Sequence, residues 1–311
     1  MTISSHIERF YDLPIEPFDA DKGVQNANAA IRLEVDYDAA EDGAEMIDVL
    51  ARLINDPKVN QIQALILGCW EEAYENDAGI YVDFLVEHAA ALSGLKAIFI
   101  GEMTYEENEI SWINQGNYSR FWAAFPALEH LQIRGAEGLE LGDIAHSNLK
   151  TLIIESGGLG SDVIAAVANA KLPALETLGL WLGDESYGWD GDISTVTPLM
   201  SQQLFPKLTS LALKNSEIQN EIVAELVKSD LLGQLTDIDL SMGIMLDAGA
   251  ELLIANQGLL AGKKIDVSEN FLSAEVVEKL LASGLDIQVN DQKEADDDGD
   301  GDVYRYVSVA E

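Results

Sequence analysis

A short apolar pattern recurs along most of the 311-residue chain. It consists of six residues spaced L-x-x-L-x-L, in which Ile or Val can replace Leu. Clear copies begin at Ile62, Leu95, Leu128, Leu149, Leu175, Leu208 and Leu235. Weaker copies lie at 265–267 and 287–289, and a possible first copy spans 31–35. The fourth positions are residues 33, 65, 98, 131, 152, 178, 211, 238, 265 and 287, so successive copies lie 21 to 33 residues apart. Such a period indicates one structural unit that is repeated along the chain.

This pattern is typical of the longer leucine-rich repeat, L-x-x-L-x-L-x-x-N-x-L, and Asn270 and Leu272 fill its last two marked positions in one copy. The alternation L-x-L predicts a short strand whose leucines share one face. Apolar residues at helical spacing follow in 161–167, 247–255 and 273–281, each beginning with Asp or Ser. Because one repeat cannot bury its leucines alone, neighbouring repeats must stack. The residues expected to be buried in register are Leu131, Leu152, Leu178, Leu211 and Ile238.

The predicted fold class is therefore α/β, a leucine-rich-repeat solenoid or horseshoe. About ten parallel strands line its concave face, and helices line its convex face. Residues 1–28 are expected to form an N-terminal cap, and 29–290 the solenoid. Residues 291–311 are an acidic linker, "DQKEADDDGDGD", followed by a strand-like tail, "VYRYVSVAE". We expect the linker (291–302) to be mobile, and 303–309 either to pair with the open edge beside 287–289 or to dock a partner.

Longer phrases of the chain resemble a family of bacterial leucine-rich-repeat proteins. They are "EISWINQGNYSRFWAAFPALEHLQIRG", "LKTLIIESGGLGSDVIAAV", "LPALETLGLWLG" and "LALKNSEIQNEIVAEL". That family is encoded in clusters with a radical-SAM protein and with sulfatase-like and ATP-grasp-like neighbours. The copies between 211 and 272 are also similar to the ribonuclease-inhibitor type of repeat, acidic horseshoes that clamp a basic protein. These resemblances imply the fold and a cytoplasmic location, and they imply no catalytic residue.

Charge restricts the class of partner. Asp and Glu number 55 against 18 Lys and Arg, so the net charge is −37. Phosphate contacts to nucleic acid come chiefly from Lys and Arg, so we expect no nucleic-acid partner. No apolar stretch approaches the roughly 20 residues of a membrane-spanning helix, and the N-terminus lacks a signal-peptide pattern. Cys69 is the single cysteine, expected to be a buried structural thiol. These features predict a cytoplasmic protein with a basic or mixed-charge protein partner and no membrane association.

Motifs that carry catalytic or metal chemistry are missing. The chain has no H-E-x-x-H, C-x-x-C or G-x-S-x-G, and its four histidines show no metal-ligand spacing. Asp296, Asp298, Asp300 and Gly301 match the first half of an EF-hand loop, but Val307 stands where the bidentate Glu is required. Weak cation condensation on a solvated linker is favoured over a calcium site. The sequence therefore predicts no catalytic residue, no metal and no cofactor.

The x positions of the strand pattern identify side chains that point away from the helices. Apolar residues at these positions, and acidic ones in the C-terminal half, mark an interaction surface. The step from 178 to 211 also contains about six extra residues, a loop "GDESYGWDGD" that carries two aromatic side chains. The predicted partner-binding residues are Ile66, Phe99, Arg134, Ile153, Trp181, Tyr187, Trp189, Asp237, Asp239 and Asp266. The alternative is that long connecting segments fold over the apolar residues and bury them.

These observations favour a non-catalytic scaffold that binds a protein through its concave face and a rim loop. The alternative is a regulatory or activating subunit of a peptide or small-molecule maturation enzyme cluster. If the loop aromatics contact a partner, replacing Tyr187 and Trp189 by Ala weakens binding and leaves the melting temperature nearly unchanged.

Overall fold

The computed structural model describes residues 3–297 and 303–311. The chain is mixed α/β and folds into two compact units. The first unit contains the residues up to Glu155 together with Asn169–Pro173, and the second contains Ser156–Ala168 and Ala174–Ala310. Within 3–297 and 303–311, none of the helices has the length and apolarity needed to cross a lipid bilayer.

The first unit is built on parallel strands that lie side by side in sequence order. The strands are β1 (Arg9–Phe10), β2 (Leu13–Pro17), β3 (Ala30–Leu33), β4 (Ala64–Leu67), β5 (Ala97–Ile100), β6 (His130–Arg134) and β7 (Thr151–Glu155). Strands β2 to β7 are parallel, and β1 pairs antiparallel with β2. The connecting helices are α1 (Tyr37–Glu41), α2 (Met46–Ile54), α3 (Gly79–Glu87) and α4 (Phe121–Ala124), with 3₁₀ turns at Val59–Gln61 and Ile110–Trp112. Residues 1–28, predicted to cap the repeats, thus contribute two of these strands.

The register of the first unit confirms the predicted alignment from β4 onward and corrects it at β3. Leu65, Ile98, Leu131 and Leu152 lie side by side, as the repeat spacing predicts. Their neighbour on β3 is Ile31, whereas the sequence pattern placed residue 33 in this row. A shift of two residues keeps every side chain on the same face, so the alternating pattern at 31, 33 and 35 does not distinguish the two registers. The correction brings Arg32 into the outward row beside Ile66.

The second unit repeats the same parallel arrangement. Its strands are β8 (Thr177–Gly183), β9 (Ser210–Ser216), β10 (Asp237–Asp239), β11 (Lys264–Asp266) and β12 (Asp286–Gln288), parallel and adjacent in sequence order. Its helices are α5 (Ser161–Ala168), α6 (Ile193–Val196), α7 (Gln219–Leu226), α8 (Asp247–Ala255), α9 (Gln257–Leu260) and α10 (Ala274–Ala282). Turns of 3₁₀ helix lie at Glu185–Tyr187, Thr197–Met200 and Leu231–Gly233. A short antiparallel hairpin, β13 (Asp296–Asp297) and β14 (Val303–Tyr304), follows the last parallel strand.

The apolar rows of the pattern form the cores. The five residues predicted to be buried in register, Leu131, Leu152, Leu178, Leu211 and Ile238, are all at most 3% exposed. In the second unit, 178, 211, 238, 265 and 287 lie in one row. Ser273 caps α10 by accepting a hydrogen bond from Val276 N, at 3.3 Å. This parallel, sequential strand order is compatible with a solenoid.

The C-terminal tail does not pair beside 287–289 as one of the predicted alternatives required. Instead, residues 307–309 are buried against the end of β9 and the loop that follows β10. Ser308 N donates to Met242 O at 2.8 Å, and Val309 N donates to Asn215 Oδ1 at 2.9 Å. Asn215 Nδ2 donates in return to Val309 O, at 2.5 Å. Of the linker predicted to be mobile, 291–297 includes β13, and 298–302 lie outside the described residues.

Candidate functional site

The N-terminal segment, residues 3–12, covers the outward face of β3, β4 and β5 in the first unit. Phe10 packs against the rings of Phe99 and His130, with centroids 5.9 and 4.9 Å apart. Ile66 and Phe99 are fully buried in this cluster. The expectation that these two side chains are exposed is therefore wrong. The sequence pattern identified their face correctly, but the cover comes from residues more than 50 positions earlier in the chain.

Behind this cover lies a buried network of charged groups, which we call the ion network. Arg32 contacts the fully buried carboxylate of Glu102 directly and also pairs with Glu34 (Nε to Oε2, 2.6 Å). Arg134 Nη1 lies 3.9 Å from Glu102 Oε1, and Arg134 Nε lies 2.6 Å from Glu155 Oε2. Arg32 Nη2 also lies 3.7 Å from Glu107 Oε1, so each guanidinium is shared between at least two carboxylates, as buried charges require. Arg134, predicted to bind a partner, is 4% exposed and instead holds this network.

The ion network also holds the N-terminal segment in place. Ile7 N donates to Glu102 Oε1 at 3.2 Å, and His6 Nδ1 lies 3.2 Å from Glu102 Oε2. Burial and the Arg32 guanidinium lower the pKa of His6. Nearby Cys69 is buried, as predicted, and burial raises the pKa of its thiol to about 12. A thiol with so high a pKa is protonated at neutral pH and is a poor nucleophile.

The outward face of the second unit's strands carries the predicted acidic residues in register. Asp237 lies between Ser210 and Lys264 on the neighbouring strands, and Asp239 lies directly beside Asp266. All three aspartates are half-buried. Aligned residues on neighbouring strands are about 4.8 Å apart, so two like charges stand side by side at Asp239 and Asp266.

Trp181 and Lys214 complete this surface next to the aspartates. Lys214 Nζ pairs with Asp239 Oδ2 at 2.8 Å and lies 5.5 Å from the centroid of the Trp181 ring. Trp181 is half-buried, with part of the indole open to solvent. We call Trp181, Lys214, Asp237, Asp239 and Asp266 the acidic strand surface. Lys214 neutralises Asp239 by direct contact, whereas Asp266 uses one oxygen to accept from Ser268 N, at 2.8 Å.

The loop 184–192 is more structural than its composition suggests. Asp190 Oδ1 accepts from Ser161 N at the start of α5 (2.7 Å), and Asp192 caps α6. Trp189 is only 5% exposed, and Tyr187 is half-buried. The prediction that Trp189 is available to a partner is therefore wrong, since its indole is part of the core. The acidic residues that look like a charged surface in the sequence serve largely as helix caps.

Ile153 and the residues considered for metal binding complete the set of predicted positions. Ile153 on β7 is half-buried, and its neighbour Gln132 donates to Glu155 Oε1 at 2.7 Å. In the described part of the chain, no three His, Cys, Asp or Glu side chains are grouped so that they could hold a metal ion. Asp298, Asp300 and Gly301 of the half EF-hand pattern lie outside the described residues.

Sequence reasoning missed Arg32 and Glu102 altogether. Arg32 was hidden by the two-residue error in register at β3, and the correct register would have placed it beside Ile66. Glu102 follows β5 directly, after Gly101, and among the described acidic residues it shares its buried position only with Glu155. The available signal was Arg32 itself, a charged residue in the same outward row as the apolar Ile66 and Phe99.

Comparisons with protein-family models and with curated proteins find no match. Among solved structures, the chain is similar to the crystal structure of a Bacteroides fragilis protein determined by the Northeast Structural Genomics Consortium. The TM-score is 0.78 and the sequence identity 33%, and the match covers 89% of this chain and 76% of the other. A TM-score of this size over most of both chains means that the parallel-strand architecture is shared. With one third of its residues identical over that span, the chain belongs to the same protein family as the Bacteroides fragilis protein.

Proposed function

We propose that the chain is a non-catalytic leucine-rich-repeat scaffold that binds a basic or mixed-charge protein through the acidic strand surface. The observation that carries this proposal is the in-register placement of Asp237, Asp239 and Asp266, half-buried beside the half-buried ring of Trp181. The repeat spacing and the parallel strand order support the solenoid.

Charge provides the argument for the class of partner. Like charges directly opposite each other on neighbouring strands destabilise a sheet. Asp239 and Asp266 are such a pair, and among the described residues Lys214 is the one lysine that contacts them. A cationic side chain from a partner would relieve this repulsion, and the net charge of −37 would speed its approach. Trp181 supplies the aromatic surface that commonly dominates interface energies.

The structure restricts the proposal to part of the predicted residues. Ile66, Phe99, Arg134 and Trp189 are buried and present no surface to a partner. Tyr187, in the loop that follows β8, is half-buried and remains a proposed contact. Ile153 belongs to the first unit, where its role as a partner contact stays a prediction.

Affinity capture from the native host tests the proposal when it is done with two matched variants. The first carries Asp237→Asn, Asp239→Asn and Asp266→Asn. The control removes the same three charges from exposed helix positions, as Glu221→Gln, Glu251→Gln and Glu278→Gln. We expect a partner that the wild type and the control retain and the first variant loses.

The captured protein is then purified and its binding measured at low and high salt. Loss of three interface charges should weaken binding roughly tenfold or more at low salt, with a smaller difference at high salt. Equal binding by both triple variants would overturn the assignment of the surface. Substrate turnover by the purified chain would overturn the assignment as a non-catalytic scaffold.

A further inference from the structure

The last parallel strand of the second unit, β12, has an open edge. On one side it pairs with β11, with Ile265 beside Ile287 and Asp266 beside Gln288. Among the residues that the structure describes, no strand lies on its other side. The tail, which could have covered this edge, runs instead to Met242 and Asn215.

The hydrogen-bonding groups on this edge point outward. Val267 N donates to Gln288 O at 2.9 Å, so Gln288 turns its main-chain groups toward β11. Successive residues of a strand direct these groups to opposite sides. The N–H and C=O of Ile287 therefore point away from β11 and are available to a further strand.

The apolar layer behind β12 is also incompletely covered. The equivalent core residues of the two preceding strands, Ile238 and Ile265, are 3% and 2% exposed. By contrast, Leu285 and Ile287 are only half-buried, and Leu281 on α10 is 58% exposed. Each internal repeat is covered by the next one along the chain, whereas this end layer has no such neighbour within the described residues.

We propose that a second copy of this chain covers this end, with the two β12 strands pairing antiparallel about a two-fold axis at Ile287. In that register, Ile287 faces Ile287 and exchanges both main-chain hydrogen bonds with it. Leu285 faces Val289 of the other copy, and Asp286 faces Gln288. Apolar residues thus meet apolar residues, and no like charges stand opposite each other.

The self-complementary register is what selects a second copy as the occupant. An unrelated strand would have to match the order Leu285, Asp286, Ile287, Gln288, Val289, whereas this sequence matches its own reverse. Because the axis stands perpendicular to the sheet, both copies of α10 lie on the same side, and their exposed Leu281 side chains can approach each other.

The large negative charge of each copy opposes association, so salt should strengthen the dimer. The opposite salt dependence separates this interface from the proposed binding of a basic partner.

Sedimentation velocity over the micromolar to millimolar range tests the proposal on the full chain. We expect a species of twice the 33.8 kDa chain mass that gains population with protein concentration and with salt. Ile287→Pro removes the outward N–H and should leave a monomer. Circular dichroism melting checks that this variant remains folded.

Two substitutions at the exposed Gln288 test the register itself. Gln288→Lys places a cation opposite Asp286 and should tighten the dimer, whereas Gln288→Asp should weaken it. Two symmetric pairs change together, so each shift in the dissociation constant should be about threefold to tenfold. The same two substitutions at the exposed Gln203 are the control for net charge. A monomer under all conditions, or Gln288 variants that shift the constant no more than their Gln203 controls, would overturn the proposal.

Discussion

Replacing Glu102 by Gln tests how much the ion network stabilises the first unit. Glu102 is fully buried and contacts Arg32, while Arg134 lies 3.9 Å from it. Gln keeps the shape of the side chain but removes its charge, which leaves two buried guanidinium groups with less compensation. Removing one partner from a buried ion pair lowers the free energy of unfolding by about 3–5 kcal/mol.

The expected loss lies at the lower end of this range, about 3 kcal/mol. Arg32 keeps Glu34 at 2.6 Å, and Arg134 keeps Glu155 at 2.6 Å, so neither guanidinium is left unpaired. The hydrogen bond from Ile7 N would pass to the Gln amide oxygen, which accepts more weakly than a carboxylate. The N-terminal segment should therefore be the first part of the unit to loosen.

Urea unfolding followed by far-UV circular dichroism measures the change in the free energy of unfolding. Hydrogen exchange over residues 97–104 reports the first unit specifically, since the chain has two units and its unfolding need not be two-state. The matched control is Glu106→Gln, an exposed position in the same loop, expected to change stability by less than about 0.5 kcal/mol. If Glu102→Gln destabilises no more than this control, the network contributes nothing to the fold and the reasoning is refuted.

Three further predictions concern burial and one the tail. Trp189→Ala should lower the free energy of unfolding by about 3–5 kcal/mol, against under about 1 kcal/mol for Trp112→Ala, whose indole is 56% exposed; equal melting temperatures would contradict the buried position. Burial lowers the pKa of His130 from 6.5 to about 4, so the unfolded chain binds a proton that the folded chain does not. The contribution of neutral, buried His130 to the free energy of unfolding is therefore fully present above pH 6.5 and is lost as the pH falls to 4. His130→Phe should remove that part of the measured pH dependence. Burial likewise lowers the pKa of Lys293 from 10.5 to about 8, so this group contributes a rise in the free energy of unfolding between pH 8 and 10.5, and the Lys293→Met variant should lack that contribution relative to wild type. Deleting 303–311 should destabilise the second unit by about 1–3 kcal/mol, because the buried side chain of Asn215 loses both of its hydrogen bonds to Val309; an unchanged urea midpoint would show that the tail is dispensable.

Much of the architecture could be predicted because the repeat pattern is local. From β4 onward, a Leu or Ile in the fourth position of a copy predicts a strand and its register, and Leu131, Leu152, Leu178, Leu211 and Ile238 are all buried at the expected positions. The pattern failed at β3, where apolar residues at 31, 33 and 35 allow two registers with the same facing. The pairing with β4 decides between the two registers, and the sequence of residues 31–35 alone does not specify that pairing.

The candidate site was predicted less well than the fold. Asp237, Asp239, Asp266 and Trp181 were found because strand alternation determines which side chains face outward. Whether an outward side chain is also exposed is a different question. Trp189 shows the difference, since its acidic neighbours indicate a surface loop and yet those acids cap helices and leave the indole in the core.

What the sequence determines by itself, then, is the repeat, the direction in which each strand side chain points, and the negative charge. Each follows from residues a few positions apart, or from composition alone. Only the tertiary structure decides what covers each face. Phe10 covers Phe99, and Arg32 meets Glu102 across 70 residues of chain. Such contacts form between segments that share no local pattern, and the burial that they create changes a predicted binding face in the first unit into core.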